Sequence, residues 1–281
     1  YRVGSQVAIN LLSGVINAPA NSDPDRDAKI QNYTQTAINL ARRATEIAPY
    51  DATNWANIGT TYQNLLALVD GADQLAQDAF MKALELSPGD ANYHNRVGSV
   101  YLAKYEILRA IATRTRNQSD LQRLGAEAAA SLEKSEIAFK KAIEVSNNFG
   151  TAIYNLGAVY DRQGKVNEAI AELEKILPAN ANQPGLLFEL GLLSYRANKK
   201  DRALEYLQRA VLLSPNYSNA RWYIALIFEE KNDIPKAIEQ LEKIQAVESN
   251  KNNETVTTKL TNLRAGVVAN PPNVLDQKPI Q

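Results

Sequence analysis

Residues 150–183 read GTAIYNLGAVYDRQGKVNEAIAELEKILPANANQ, residues 184–217 read PGLLFELGLLSYRANKKDRALEYLQRAVLLSPNY, and residues 218–251 read SNARWYIALIFEEKNDIPKAIEQLEKIQAVESNK. Laid under one another, the three stretches repeat one pattern at a spacing of 34. Gly157, Gly191 and Ala225 are one small position, preceded by Leu156, Leu190 and Ile224 and followed by Tyr160, Ser194 and Phe228. Ala169, Ala203 and Ala237, then Leu173, Leu207 and Leu241, then Ile176, Ala210 and Ile244 complete each unit. A fixed period of this length is the signature of a repeat array. Within each half the apolar residues recur every three or four positions, which places them on one face of a helix. Between the halves stand Gly164, Asn198 and Asn232, residue types that tolerate the left-handed conformation ending helices. Asp233 before Ile234 and Pro235 then marks a helix start. A single hairpin of this kind cannot bury its apolar face, so neighbouring hairpins must stack.

These small positions at fixed places in a 34-residue helical hairpin resemble the tetratricopeptide repeat (TPR). The resemblance implies an all-α, TPR-type solenoid coiled as a right-handed superhelix, with small residues where the two helices of a hairpin pack closest. Extended along the chain, it gives six helical pairs and a C-terminal capping helix. The units are 1–51, 52–90, 91–149, 150–183, 184–217 and 218–251, with a cap over 252–268 and a tail over 269–281. It also implies a concave groove, lined by the first helix of each pair, that binds peptides.

The earlier units carry the pattern with insertions. The loop 18–27, rich in Pro, Asp and Asn, separates the helices of the first unit, whose second helix presents Ala37, Ala41 and Ala44. Trp55, Ile58, Gly59, Tyr62, Ala76, Phe80 and Ala83 mark the second unit, with a longer turn around Asp70 and Gly71. The third, from Val97, Gly98 and Tyr101 to Phe139, Ala142 and Ile143, holds 25 residues beyond the norm. Helical periodicity continues on both sides of 117–120, so the insert predicts two overlong helices, each extended by roughly three turns. Beyond the sixth unit, Val256, Leu260, Leu263 and Val267 form one apolar face that suits an end cap, and the prolines at 271, 272 and 279 oppose helix in the tail.

Composition bounds the function. The chain has 281 residues, 45% hydrophobic and 22% charged, with 31 basic and 31 acidic side chains. That balance offers no global field for nucleic acid or an acidic membrane and argues for a specific protein or peptide partner. With no cysteine there is no disulfide or thiol chemistry, and no apolar run spans a bilayer. The chain starts at Tyr1 and its one methionine is Met81, which fits an excised domain with any targeting segment upstream.

No catalytic, metal or cofactor constellation emerges, and the chain is expected to be non-catalytic. The one histidine, His94, stands in the register position of Trp55 and is expected to be a packing residue. Asp23, Asp25 and Asp27 imitate the start of a calcium loop, but Ala28 and Thr34 stand where glycine and glutamate are needed. Asn32, Asn117, Asn216 and Asn253 stand in glycosylation-type triplets that matter only in a eukaryotic secretory setting.

The surface of the first helices remains. One position beyond the interface residues, a turn of about 100° reaches the inner face, at Ala56, Asn95, Tyr154, Phe188 and Trp222. Asn92, Asn155, Glu189, Tyr195, Arg196, Asn219, Tyr223 and Glu229 adjoin them. Two readings stand: Tyr154, Phe188 and Trp222 form a ladder in a binding groove, or they fill gaps between successive helices. TPR domains that clamp a partner's carboxylate use lysines, asparagines and an arginine; only Asn57 and Arg96 match those places, with Tyr1, Ser5 and Asn92 at the others. On the long hairpin, Ile107, Leu108, Ile111, Leu121 and Leu124 form an apolar strip expected to be partly exposed and to support a homo-oligomer.

The run 215–244, with Asp70-Gly71-Ala72 and Leu86-Ser87-Pro88, is similar to the C-terminal TPR region of O-antigen-ligase-like membrane proteins of candidate-phylum bacteria. That resemblance implies an extracytoplasmic, membrane-anchored setting beside a glycan-transfer module. The expected function is a scaffold that binds a protein or peptide in its groove. A carbohydrate-binding accessory domain and a free cytoplasmic adaptor are the alternatives.

Overall fold

The computed structural model describes residues 1–19 and 23–267. Among them are thirteen α-helices and no strand. In order they are α1 (Arg2–Asn17), α2 (Arg26–Ile47), α3 (Ala52–Asn64), α4 (Ala72–Leu86), α5 (Ala91–Ala112), α6 (Gln118–Val145) and α7 (Gly150–Arg162). Then follow α8 (Val166–Ile176), α9 (Pro184–Arg196), α10 (Lys200–Leu213), α11 (Ser218–Glu230), α12 (Ile234–Gln245) and α13 (Glu254–Arg264). This is an all-α helical-repeat solenoid, with six first and second helices in alternation and one helix more. The helices fall into two compact units, Tyr1–Gln163 and Gly164–Gln281. The expected tail lies outside the described residues.

In the first unit, the small positions allow close helix approach. A β-carbon on Gly59 would lie 2.9 Å from the Phe80 ring, and one on Gly98 would lie 2.7 Å from the Phe139 ring. Both rings are fully buried, and Phe80 belongs with Ala41, Ile58, Tyr62, Ala76, Val97 and Ala138, from α2 to α6, to a continuous core. Each large apolar side chain so buried contributes about 1.5 to 3 kcal/mol. Aspartates start the helices: Asp51 accepts from Thr53 N at 2.9 Å and Asp90 from Asn92 N at 2.8 Å.

The long hairpin is as expected, with α5 of 22 residues and α6 of 28 against 13 in α3 and 15 in α4. The excess is about two and a half turns in α5 and three and a half in α6. At its base Lys104 pairs with Asp73 of α4 at 2.6 Å, and Arg162 of α7 pairs with Glu106 at 3.0 Å. Asn117 caps α6, accepting from Ser119 N and Asp120 N.

The second unit uses the same devices. A β-carbon on Gly191 would come within 2.6 Å of Leu207, and Ala203, Leu207, Ala210, Ala237 and Leu241 are fully buried. Gly164, Asn198 and Asn232 all have positive φ, at 75°, 57° and 59°. After Asn198, Lys199 N donates to Ser194 O at 2.8 Å, and after Asn232, Asp233 N donates to Phe228 O at 2.8 Å, each closing a helix end. The cap is seated by Val256, Leu260 and Leu263, all buried, whereas Val267 is exposed.

Candidate functional site

The first helices of the second unit, α9 and α11, turn Leu187, Leu190, Ile224 and Ala225 inward. One position on from Leu187, Phe188 stands half-buried at the surface. Its ring lies 5.1 Å from that of Tyr217 and 6.0 Å from that of Tyr223, both tilted. Tyr223 in turn meets Tyr195 edge-on at 5.7 Å. The result is a row of four half-buried aromatic rings in the order Tyr217, Phe188, Tyr223 and Tyr195.

The row ends in charge. The Tyr195 hydroxyl donates to the Glu230 carboxylate, which also pairs with Lys200 at 2.7 Å. Burial, and then that bond to Glu230, hold the Tyr195 phenol far above its ordinary range. Burial also raises Tyr223, with Arg196 opposing and Glu189 reinforcing, so both charged groups stand near this ring. The phenols stay neutral in ordinary conditions and can donate hydrogen bonds beside an apolar face.

Two expected groove residues of the second unit are elsewhere. Trp222 and Glu229 are each 5% exposed. Ser218, Trp222 and Glu229 share one stripe of α11 by helical spacing, and the C-terminal segment holds both ends of it. Asn250 Nδ2 donates to Ser218 Oγ at 2.8 Å, and Lys259 pairs with Glu229 at 2.5 Å. Trp222 is therefore buried on a stripe whose two ends are held by Asn250 and Lys259, and Glu229 fastens α13. Both are closed to solvent, so the half-buried aromatic row of the second unit is Tyr217, Phe188, Tyr223 and Tyr195, without Trp222. Asn219 is half-buried near the start of α11.

In the first unit, Tyr154 is 40% exposed. Asn155 Nδ2 donates to Asn95 Oδ1 at 3.0 Å, so these two amides tie α7 to α5, and Asn95 is buried. Asn92 is exposed and donates to Asp90 at 3.0 Å. Asn57 likewise bonds Ser5 of α1 at 3.0 Å. Across α1, α3 and α5 opens a cleft of about 500 Å³ whose lining includes Arg2, Asn57, Asn92 and Arg96. Arg2 pairs with Asp51 at 3.1 Å.

The apolar strip of the long hairpin is mostly consumed within it. Leu108 and Leu124 are buried against each other with Ala128, Tyr105 and Ala112. Ile107 and Leu121 are half-buried, leaving only Ile111 of the five substantially exposed, at 47%. The two arms satisfy one another, which removes most of the surface expected to drive self-association.

His94 is a packing residue with a repeated role. Trp55 Nε1 donates to the Pro49 carbonyl at 2.7 Å, Arg221 Nε donates to the Pro215 carbonyl at 2.8 Å, and His94 hydrogen-bonds the Pro88 backbone. Each ties the start of a first helix to the turn that follows the preceding second helix. Asp23 is taken by Lys29 at 2.7 Å, and no group of three metal-ligating side chains occurs among the described residues.

Residues 150–183 and 188–252 match tetratricopeptide-repeat family models. No curated protein sequence matches the chain. Among solved structures, the chain is similar to YrrB, a TPR protein with an unusual peptide-binding site (TM-score 0.57, 19% identity, 79% of this chain and 97% of that one). It is also similar to PilW, a widely conserved type IV pilus biogenesis factor (TM-score 0.58, 18% identity, 91% and 98%). PilF of Pseudomonas aeruginosa is a third, with TM-score 0.57, 18% identity and coverage of 94% and 98%. At these identities the likeness is one of fold.

Proposed function

We propose that this chain, which carries tetratricopeptide repeats, is a non-catalytic scaffold that binds an extended peptide segment of a protein partner on the first-helix face of its second unit. The observation that carries the reading is the row Tyr217, Phe188, Tyr223 and Tyr195. Aromatic side chains at the surface, with charged groups at hand to orient a peptide, are the composition of interaction hot spots. YrrB, of the same fold, is described with a peptide-binding site. The cleft of the first unit, with Arg96 and Asn92, is a second polar surface that a partner can use.

An extracytoplasmic place beside a glycan-transfer module rests on the sequence resemblance alone, since the matching family models concern only the repeat. No helix among the described residues is long and apolar enough to cross a membrane.

The test is selection of peptides from a displayed library on the chain, followed by titration calorimetry. Phe188→Ala and Tyr223→Ala should each weaken a selected peptide by about 2 kcal/mol, or roughly 30-fold, if they are hot spots. Peptides that bind these variants as tightly as the unaltered chain would defeat the proposal.

A further inference from the structure

We propose that the tip of the long hairpin adsorbs to a bilayer surface that carries anionic phospholipids, with Arg109, Arg114 and Arg116 on the headgroups and Ile111 inserted beside them. From 107 to 119 the chain reads ILRAIATRTRNQS, three arginines without an acidic residue. The three arginines are exposed, and no ion pair holds any of them among the described residues. The acids on either side are already taken. Glu106 pairs with Arg162 of α7 at 3.0 Å, and Asp120 and Glu127 both pair with Arg123. In a chain whose charges balance at 31 of each sign, the tip is therefore a local positive end.

The fold does not use these arginines. Thr113 Oγ1 donates to the Ala110 carbonyl at 2.8 Å and Thr115 Oγ1 to that of Ile111 at 2.9 Å, closing the end of α5, while Asn117 caps α6. Below the tip, Leu108 is buried with Leu124 and Ala128. Ile111, in the last turn of α5, is left 47% exposed, and its neighbour Ala110 is exposed too. Unpaired cations next to an exposed apolar side chain are the composition of segments that lie in the headgroup layer. Guanidinium forks also match phosphate oxygens in pairs.

Size and polarity choose among anionic partners. The tip offers fewer residues than the roughly 20 to 30 a side of a stable protein interface. A nucleic acid is met by charge at its phosphates and leaves Ile111 in water. A bilayer requires neither a large area nor a matching shape. Each arginine near an anionic surface is worth about fivefold in partition, on the order of a hundredfold for three, and an inserted apolar side chain adds several-fold. The segment 268–281 carries one acidic and one basic residue, Asp276 and Lys278, and so brings the arginines no complementary charge. The association expected is weak and reversible, because firm anchoring takes a second signal.

The test is co-sedimentation of the full chain at low salt with vesicles of phosphatidylcholine alone or mixed with phosphatidylglycerol. Saturable binding is expected on the anionic vesicles only. It should fall about 25-fold when Arg114→Gln and Arg116→Gln are combined, and several-fold in Ile111→Asn. Combining Lys82→Gln on α4 with Lys141→Gln at the far end of α6, both exposed, changes the net charge equally and should leave binding unaltered. As a second measurement, a polarity-sensitive dye on Ala110→Cys, the one thiol in a chain without cysteine, should shift to the blue on anionic vesicles. Absence of binding, equal loss from the two charge pairs, full binding by Ile111→Asn or an unshifted dye each overturns the proposal. Tighter binding to a duplex oligonucleotide or to polyglutamate, at equal charge concentration and salt, would assign the tip to a nucleic acid or an acidic protein and overturn it equally.

Discussion

Replacing Gly191 by alanine tests the close approach on which the repeat rests. A β-carbon there would sit 2.6 Å from Leu207 Cγ and 2.8 Å from its Cδ2, inside a fully buried contact. Carbon atoms rest at about 3.5 to 4.0 Å, so the helices must separate or Leu207 must leave its rotamer, at about 1 to 3 kcal/mol. Against this, alanine is a better helix former than glycine by about 1 kcal/mol. Gly125, within α6, supplies the control, because an added β-carbon there meets nothing within 4 Å. Gly125→Ala should therefore stabilise by about 0.5 to 1 kcal/mol. The propensity gain is common to both, so the difference between the two variants isolates the overpacking, about 1 to 3 kcal/mol. Urea unfolding followed by circular dichroism reads it directly. Leu207→Ala alone should cost about 2 to 5 kcal/mol, and the double variant with Gly191→Ala less than the sum, by about 1 kcal/mol. Equal midpoints for Gly191→Ala and Gly125→Ala, or strict additivity in the double variant, would refute the packing argument.

The buried pair Glu229 and Lys259 gives another test: Lys259→Met leaves a carboxylate buried without its cation and should cost about 3 kcal/mol, partly recovered by adding Glu229→Gln. Loosening should show as faster hydrogen exchange in α13. For His94, burial foremost lowers the folded-state pKa, so its contribution to stability is complete above the unfolded value of 6.5 and is lost as pH falls through the lower, folded one. The melting temperature of His94→Gln should accordingly fall less between pH 7 and pH 5 than that of the unaltered chain, and an identical fall would contradict the assignment. At the left-handed turn position Asn198, glycine should be tolerated, whereas valine should destabilise by about 1 to 2 kcal/mol in a thermal melt.

The fold was legible because its signals are local and repeated. Gly164, Asn198 and Asn232 announce their turns by residue type, and the Gly59, Gly98 and Gly191 positions announce the helix crossings. The overlong α5 and α6 followed from uninterrupted periodicity. The surface was less legible, because 34-residue spacing marks equivalent places without saying what covers them. Trp222 shares its register with Phe188, yet only Trp222 lies on the stripe held by Asn250 and Lys259. Tyr217 was missed because it precedes α11 and reaches Phe188 from a helix start instead of a repeat position. On the long hairpin, the apolar spacing was correct, but periodicity alone does not distinguish a strip that meets its own partner arm from one left open.

The most direct test of the partner-binding surface is fluorine NMR of the fluorotyrosine-labelled chain during titration with a selected peptide. Tyr195, Tyr217 and Tyr223, assigned by single Tyr→Phe variants, should shift together and saturate, while Tyr50, 88% exposed beyond α2 in the first unit, stays still. Saturable binding that leaves those three resonances unmoved would contradict the account, because the peptide would then be held away from the aromatic row.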